Sequence, residues 1–338
     1  MSNPIEKLEE YNISLKDIQK LKDIGISTIK ELYMTNRKHL LSIKGFNENK
    51  IKKIFNEANK IEVYGLFEKG STFMKARNDI IFRIPTNSKN LDEILGGGIE
   101  SSSITEIIGE ANTKKTDFVH ILCANALKFN SKTKIMFIDF DKTFDLKKII
   151  EYEKLLNINI NINKKKYENI LLINDIKDYE DFIKNLDKIN QECHNGQISL
   201  IIIESLVSIF EEYFKEKTKE IMNNFQINEL EFKYDIESKL GNVLVKLKNI
   251  SFLYNVAIVI TRKILSSAEN KDPPALNRNF DICSLMPNFE IMFGSQFQTR
   301  LKLKRIKNGK IKCLILSSPM LPEKDCKFII NEKGILDC

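Results

Sequence analysis

Four continuous runs of β-branched and aliphatic residues most constrain what this 338-residue chain can fold into. They span 103–108, 134–141, 200–205 and 256–261. None alternates apolar with polar residues, so each is expected to be a strand buried on both faces, as in parallel sheets covered by helices. Stretches at helical spacing separate the runs. The pattern predicts an α/β fold with a mostly parallel, doubly wound sheet.

The first run passes directly into Gly109, Glu110, Ala111, Asn112, Thr113, Lys114, Lys115 and Thr116, then into an amphipathic helix expected to last to about Lys128. Strand, eight-residue loop and helix form the setting of a GxxxxGK[ST] phosphate loop, whose amides cradle phosphates while the lysine reaches the outer ones and the hydroxyl holds magnesium. Gly109, Lys115 and Thr116 fill three of the defining positions, and Lys114 stands at the second glycine. A side chain held there at positive φ costs ~1–2 kcal/mol, against which an added cation near a polyphosphate recovers part of the binding. The alternative is an ordinary strand–turn–helix with a lysine-rich turn. Two later runs end in carboxylates, Asp139 and Asp141 on one and Glu204 on the other. Strand ends are where α/β sheets place their sites, although a carboxylate there also serves as a turn former or cap.

Residues 1–60 hold eleven lysines and one arginine against eight acidic residues, with apolar positions at helical spacing. Gly25-Ile26-Ser27 and Gly45-Phe46-Asn47 break the pattern, each ending in a helix-capping type. Around Gly45 the sequence resembles a helix–hairpin–helix, in which backbone amides beside the glycine approach a nucleic-acid phosphate. Arg37, Lys38, Lys44, Lys50, Lys52 and Lys53 surround it, with Glu48 opposing. Phosphate contact through Lys44, Gly45 and Lys50 is one reading; a helical packing module with a wet basic face is the other. A linker is expected over 61–84, and the large domain over 85–338.

Near the end, 299–312 reads as a β-hairpin about a two-residue Asn308-Gly309 turn. It carries seven cations, Arg300 and Lys307 among them, and no acidic residue. It is either a solvated face or a polyanion surface. Residues 213–236 and 264–295 read as irregular loops. Six scattered cysteines and three histidines make a zinc site improbable. No apolar run approaches the ~20 residues of a membrane span, so no membrane partner is expected.

Together these segments resemble the eukaryotic RecA-type strand-exchange recombinases, more closely the meiosis-specific Dmc branch than the general Rad branch. Gly25 to Lys30, Ile43-Lys44-Gly45, Leu95 to Ser101, Ile104-Thr105-Glu106 and Ser318 to Glu323 carry the likeness. It implies a RecA-like P-loop core behind a small all-α helix–hairpin–helix domain, nuclear localisation, and ATP with Mg2+ bound between subunits. It also implies single- and double-stranded DNA as partners, a homo-oligomeric filament or ring, and an active recombinase paralogue as a further partner. Phe67 and Gly70 match the family's subunit hook, and Pro322 lies in the segment that reaches a neighbouring nucleotide. By the same likeness Glu204 and Thr116 support the metal and Asp141 orients water. Departures gather at the ATP site: Lys114 for glycine, Asp141 for glutamate, Glu204 for aspartate, Lys263 for glutamine and Ser317 for aspartate. They leave open a nucleotide-independent accessory subunit of a recombinase filament.

Overall fold

The computed structural model describes residues 3–61, 70–129, 133–156, 164–196, 198–210, 213, 229–264 and 297–338. The chain divides into two compact units, Met1–Asp79 and Ile80–Cys338.

The first unit is helical. A 3-10 turn, Ile5–Tyr11, precedes α1 (Leu15–Asp23), α2 (Ile29–Met34), α3 (Arg37–Leu41), α4 (Glu48–Ile61) and α5 (Gly70–Ile80). Ile5, Leu8, Leu21, Ile29, Leu32 and Ile54 form its core. Polar side chains start the helices: Ser14 caps α1, Asn36 caps α3, and Asn47 Oδ1 accepts from the Lys50 amide at 2.8 Å to start α4. At α2 the cap is Thr28 and not the expected Ser27. Thr28 and Glu31 satisfy each other's backbone amides, and the Ser27 amide also donates to Glu31. The stretch from Gly70 to Ile80, expected as linker, is helix.

The second unit is an α/β layer structure. Its strands are β1 (Arg83–Ile84), β2 (Ile99–Glu100), β3 (Ser103–Gly109), β4 (Lys134–Asp139), β5 (Ile170–Ile173), β6 (Ile198–Glu204), β7 (Ala257–Lys263), β8 (Thr299–Arg305), β9 (Ile311–Ser317), β10 (Asp325–Asn331) and β11 (Gly334–Asp337). Its helices are α6 (Lys89–Ile94), α7 (Lys115–Phe129), α8 (Leu146–Leu156), α9 (Tyr179–Asn195) and α10 (Glu229–Tyr254). Among the described residues nine strands form one sheet in the order β11-β10-β9-β8-β3-β7-β6-β4-β5. It is parallel from β8 to β5 and antiparallel from β8 to β11.

Strand alternation divides the apolar residues between two cores. Ile107, Leu200 and Ile202 face α6, α7 and α8, while Ile104, Ile201 and Ile203 face α9 and α10. Both faces of β3 and β6 are therefore buried, and β3 takes Ser103, Thr105 and Glu106 into the interior along with its apolar residues. The antiparallel strands bury one face only; β8 alternates accordingly, while β9 and β10 also carry Leu314, Leu316 and Ile329 on the other face.

Three expectations need correction here. Every residue of α7 from Asp117 to Leu127 is buried, so it is a central helix and not an amphipathic one. Residues 229–236, expected as loop, open the long helix α10, while 214–228 and 265–296 lie outside the described residues. The β8–β9 hairpin is present, but its loop is three residues, Lys307–Gly309. Ile306 donates to the Lys310 carbonyl at 2.8 Å, with Asn308 and Gly309 both left-handed.

Candidate phosphate-binding site

Gly109 ends β3 where no side chain fits. A Cβ there would stand 2.6 Å from Thr113 Oγ1 and 2.7 Å from the Leu303 carbonyl oxygen of neighbouring β8. Thr113 is buried and donates to the Glu110 carbonyl at 2.8 Å, closing the turn, while Glu110, Ala111 and Asn112 stay exposed. Asn112 (φ 60°) and Lys114 (φ 64°) both take the left-handed conformation. Asparagine does so readily; for lysine the ~1–2 kcal/mol strain anticipated from sequence applies.

Lys115, the first residue of α7, folds over this loop. Its Nζ donates to the carbonyls of Gly109 at 2.8 Å and Glu110 at 2.9 Å. Burial lowers its pKa to about 8, with Glu204 opposing and Lys263 adding to the shift. Lys114 goes elsewhere. Its ammonium lies 3.1 Å from Asp117 Oδ2, and Lys148 of α8 reaches Asp117 Oδ1 at 2.8 Å. Burial raises the Asp117 pKa, but the hydrogen bonds from Lys148 and Lys114 outweigh it and hold the carboxyl below its usual value.

The sheet's carboxyl-terminal edge supplies the acids. Thr116 Oγ1 donates to Glu204 Oε1 at 2.8 Å. Glu204 ends β6 and is 3% exposed, and its Oε2 is buried with no hydrogen-bond partner among the described residues. Burial pushes its pKa up to about 7, against the Thr116 and Thr261 hydroxyls, with Asp139 and Asp141 adding to the rise. Asp139 is a turn former: Oδ2 accepts from the Phe144 amide at 2.7 Å. Asp141 is exposed, and its Oδ1 accepts from Ser208 at 2.8 Å. A buried carboxylate oxygen without a donor, on a side chain held by the Thr116 hydroxyl and near the Lys115 ammonium, suits a hard divalent cation that carries phosphate oxygens.

A family profile described as Rad51 matches residues 76–338. The chain belongs to the Rad51 family. It is similar to the meiotic recombination protein DMC1/LIM15 homolog of Mus musculus, 31% identical over 340 residues that cover 98% of this chain and 92% of that protein. The meiotic recombination protein DMC1 of Saccharomyces cerevisiae is 30% identical over 346 residues, covering 98% and 94%. The DNA repair protein RAD51 of the same yeast is 28% identical over 345 residues, covering 99% and 78%.

In this Rad51-family core one contributor escaped the sequence reading. His120 sits on α7 four residues after Thr116, on the same helical face. Its Nδ1 lies 2.6 Å from the Thr116 carbonyl, and its Nε2 accepts from the Asp145 amide at 2.9 Å. An amide donor at Nε2 places the ring proton on Nδ1. Burial lowers its pKa, in keeping with a neutral ring. Phe137 and Phe144 flank it, with ring centroids at 5.4 and 5.8 Å. The i,i+4 spacing from Thr116 was the available signal; the partner at Asp145 was not.

The remaining candidates are dispersed. Gly45 is left-handed (φ 89°) in the α3–α4 hairpin, where Lys20 donates to the Lys44 carbonyl at 2.8 Å. Lys50 is paired with Asp17 at 2.9 Å, so Glu48 is not the only acid near these lysines. The cations of the β8–β9 hairpin are not all uncompensated either. Arg300 donates to buried Glu106 at 2.6 Å, beside Arg262, and Lys312 meets Asp325 at 3.1 Å. Lys307 is exposed at the hairpin tip. Pro322 is exposed between β9 and β10, next to Leu321, whose Cδ2 is 3.4 Å from where a Gly96 side chain would begin. Gly70 opens α5, and Phe67 lies outside the described residues.

Proposed function

We propose that this chain is a DNA recombinase of recombination and double-strand break repair, meiotic recombination included, acting in the nucleus. It holds ATP and magnesium, and assembles as a filament or ring of identical subunits on single-stranded DNA, which it pairs with duplex. Residues 1–60 are the helix–hairpin–helix DNA-binding domain, 61–84 the linker with its Phe67 and Gly70 hook, and 85–338 the RecA-like ATPase core.

The observation that carries the nucleotide reading is the orphaned oxygen of Glu204 beside the Thr116 hydroxyl. A buried polar atom left without a partner costs ~1–3 kcal/mol, and a ligand would remove that cost. On this reading the amides of 109–116 and Lys115 hold the phosphates, Thr116 and Glu204 hold the metal, and Asp141 orients a water. Pro322 serves the nucleotide of an adjoining subunit. Magnesium, when bound, neutralises charge on the outer phosphates. The DNA reading draws support from the hairpin at Lys44 and Gly45 and from a row of lysines across the sheet. Lys304 faces Lys312, and Lys312 faces Lys327. Like charges directly opposite one another destabilise a sheet, and a phosphate backbone would relieve them.

The test is DNA-stimulated ATP turnover of the purified protein beside Lys115→Ala. Turnover that the substitution abolishes is the expected result. A wild-type protein that binds no nucleotide would overturn it. That result would favour a nucleotide-independent accessory subunit of a recombinase filament, the reading to which the strained Lys114 also lends weight.

A further inference from the structure

Lys114 occupies a backbone conformation that glycine would take without strain, at the helix end of the loop proposed to hold nucleotide. Three residues on, Asp117 places a carboxylate in the first turn of α7. Helix amides there favour that charge, but a phosphate at the same helix end would be repelled by it. Neither feature suits an anion site alone. They occur together, and their side chains meet: Lys114 reaches one carboxylate oxygen at 3.1 Å and Lys148 reaches the other at 2.8 Å. The Asp117 side chain is only 12% exposed, against 51% for Lys114 and 45% for Lys148.

We propose that Lys114, Asp117 and Lys148 form a charge-compensated clamp that takes over the work of the missing glycine. Asp117 draws the Lys114 side chain against the helix and away from the loop carbonyls that Lys115 spans. The two ammoniums cancel the carboxylate that would oppose bound phosphate. Lys114 and Asp117 are therefore positioning residues that act as one unit. Lys114→Gly relieves the backbone but leaves Asp117 with a single partner. Asp117→Asn removes the opposing charge but releases Lys114.

This inference rests on the nucleotide reading above, and its test separates the two. Magnesium–ATP affinity and thermal stability are measured on the full chain for wild type, Lys114→Gly, Asp117→Asn, the double variant and Lys114→Arg. Each of the first two is expected to weaken binding about three- to tenfold, whereas the double returns to within about twofold of wild type. Lys114→Arg, which keeps the ion pair, stays within about twofold. A double variant as weak as the product of its singles overturns the clamp, as does wild-type affinity in Asp117→Asn. If Asp117→Asn does not fold, the comparison of Lys114→Arg with Lys114→Gly decides, and equal affinities reject the clamp. Absence of magnesium–ATP binding by the wild type rejects the nucleotide reading itself.

Discussion

Two of the chain's turns, each passing through a left-handed residue into a lysine-bordered helix, are solved differently. Before α4 it uses Gly45 at φ 89°; before α7 it uses Lys114 at φ 64°. The second value lies inside the small left-handed basin open to L-residues, roughly +50 to +70°, and the first lies beyond it. Space is not what decides. A Cβ at Gly45 would meet only the mobile ammonium of Lys20, at 3.2 Å. Glycine is kept where the backbone leaves the basin, and a side chain is tolerated where the backbone stays within it and a carboxylate waits one helical turn on.

The comparison is broken most severely at Gly109, which needs glycine because of crowding and not because of φ. Gly109→Ala is expected to cost ~3 kcal/mol in denaturant unfolding and to abolish nucleotide binding, since both obstructing atoms are close and one is backbone. Unchanged unfolding would mean the loop has other room. Glu204→Gln should do the opposite. The raised pKa means that the folded protein keeps a proton between about 4.5 and 7. That stabilising contribution is complete below 4.5 and lost as pH rises through 7. In metal-free protein at pH 8 the glutamine variant should therefore be more stable, by on the order of 2–3 kcal/mol. The gain should vanish near pH 4, and a gain equal at both pH values would contradict it.

Smaller effects separate the two turns themselves. Gly45→Ala should cost ~1–2 kcal/mol by thermal melting, whereas Lys114→Gly should gain under ~1 kcal/mol, strain relief being offset by a lost ion pair. Equal and opposite effects would erase the distinction drawn from φ. Lys50→Gln should be the mildest, costing ~0.5 kcal/mol after allowance for screening of a partly exposed pair. Burial raises the Asp17 pKa, but hydrogen bonds from Lys50 and Ser14 leave it below 3.8. The pair's contribution is thus present above pH 3.8 and lost as pH falls through the depressed value, so the melting temperatures of wild type and Lys50→Gln, apart at pH 7, should draw together as pH falls below 3.8.

Much of this was legible in the residues. Runs dominated by apolar and β-branched residues located β3, β4, β6 and β7, because double-sided burial leaves few positions for a polar side chain and pairs those it admits, as Glu106 with Arg262. The four-residue strand β5 and the terminal strands β10 and β11 left no such signature, being short, partly exposed or one-sided. The phosphate loop and Glu204 could be found because each follows an apolar run. The destinations of long side chains could not. Nothing in the order of residues says that Lys114 turns to Asp117, that Lys50 turns to Asp17, or that Arg300 enters a buried pair with Glu106. Those choices depend on strands and helices that only the fold brings together.

The imidazole of His120 has a kinetic consequence. One edge is bonded to the carbonyl of Thr116 and the other to the amide of Asp145, so the first turn of α7 and the turn after β4 share a rigid crosspiece. The amide of Asp145 can exchange its hydrogen with solvent only when that crosspiece lets go. Its exchange rate is thus a gauge of how often the two turns part company, one that can be read without any added probe.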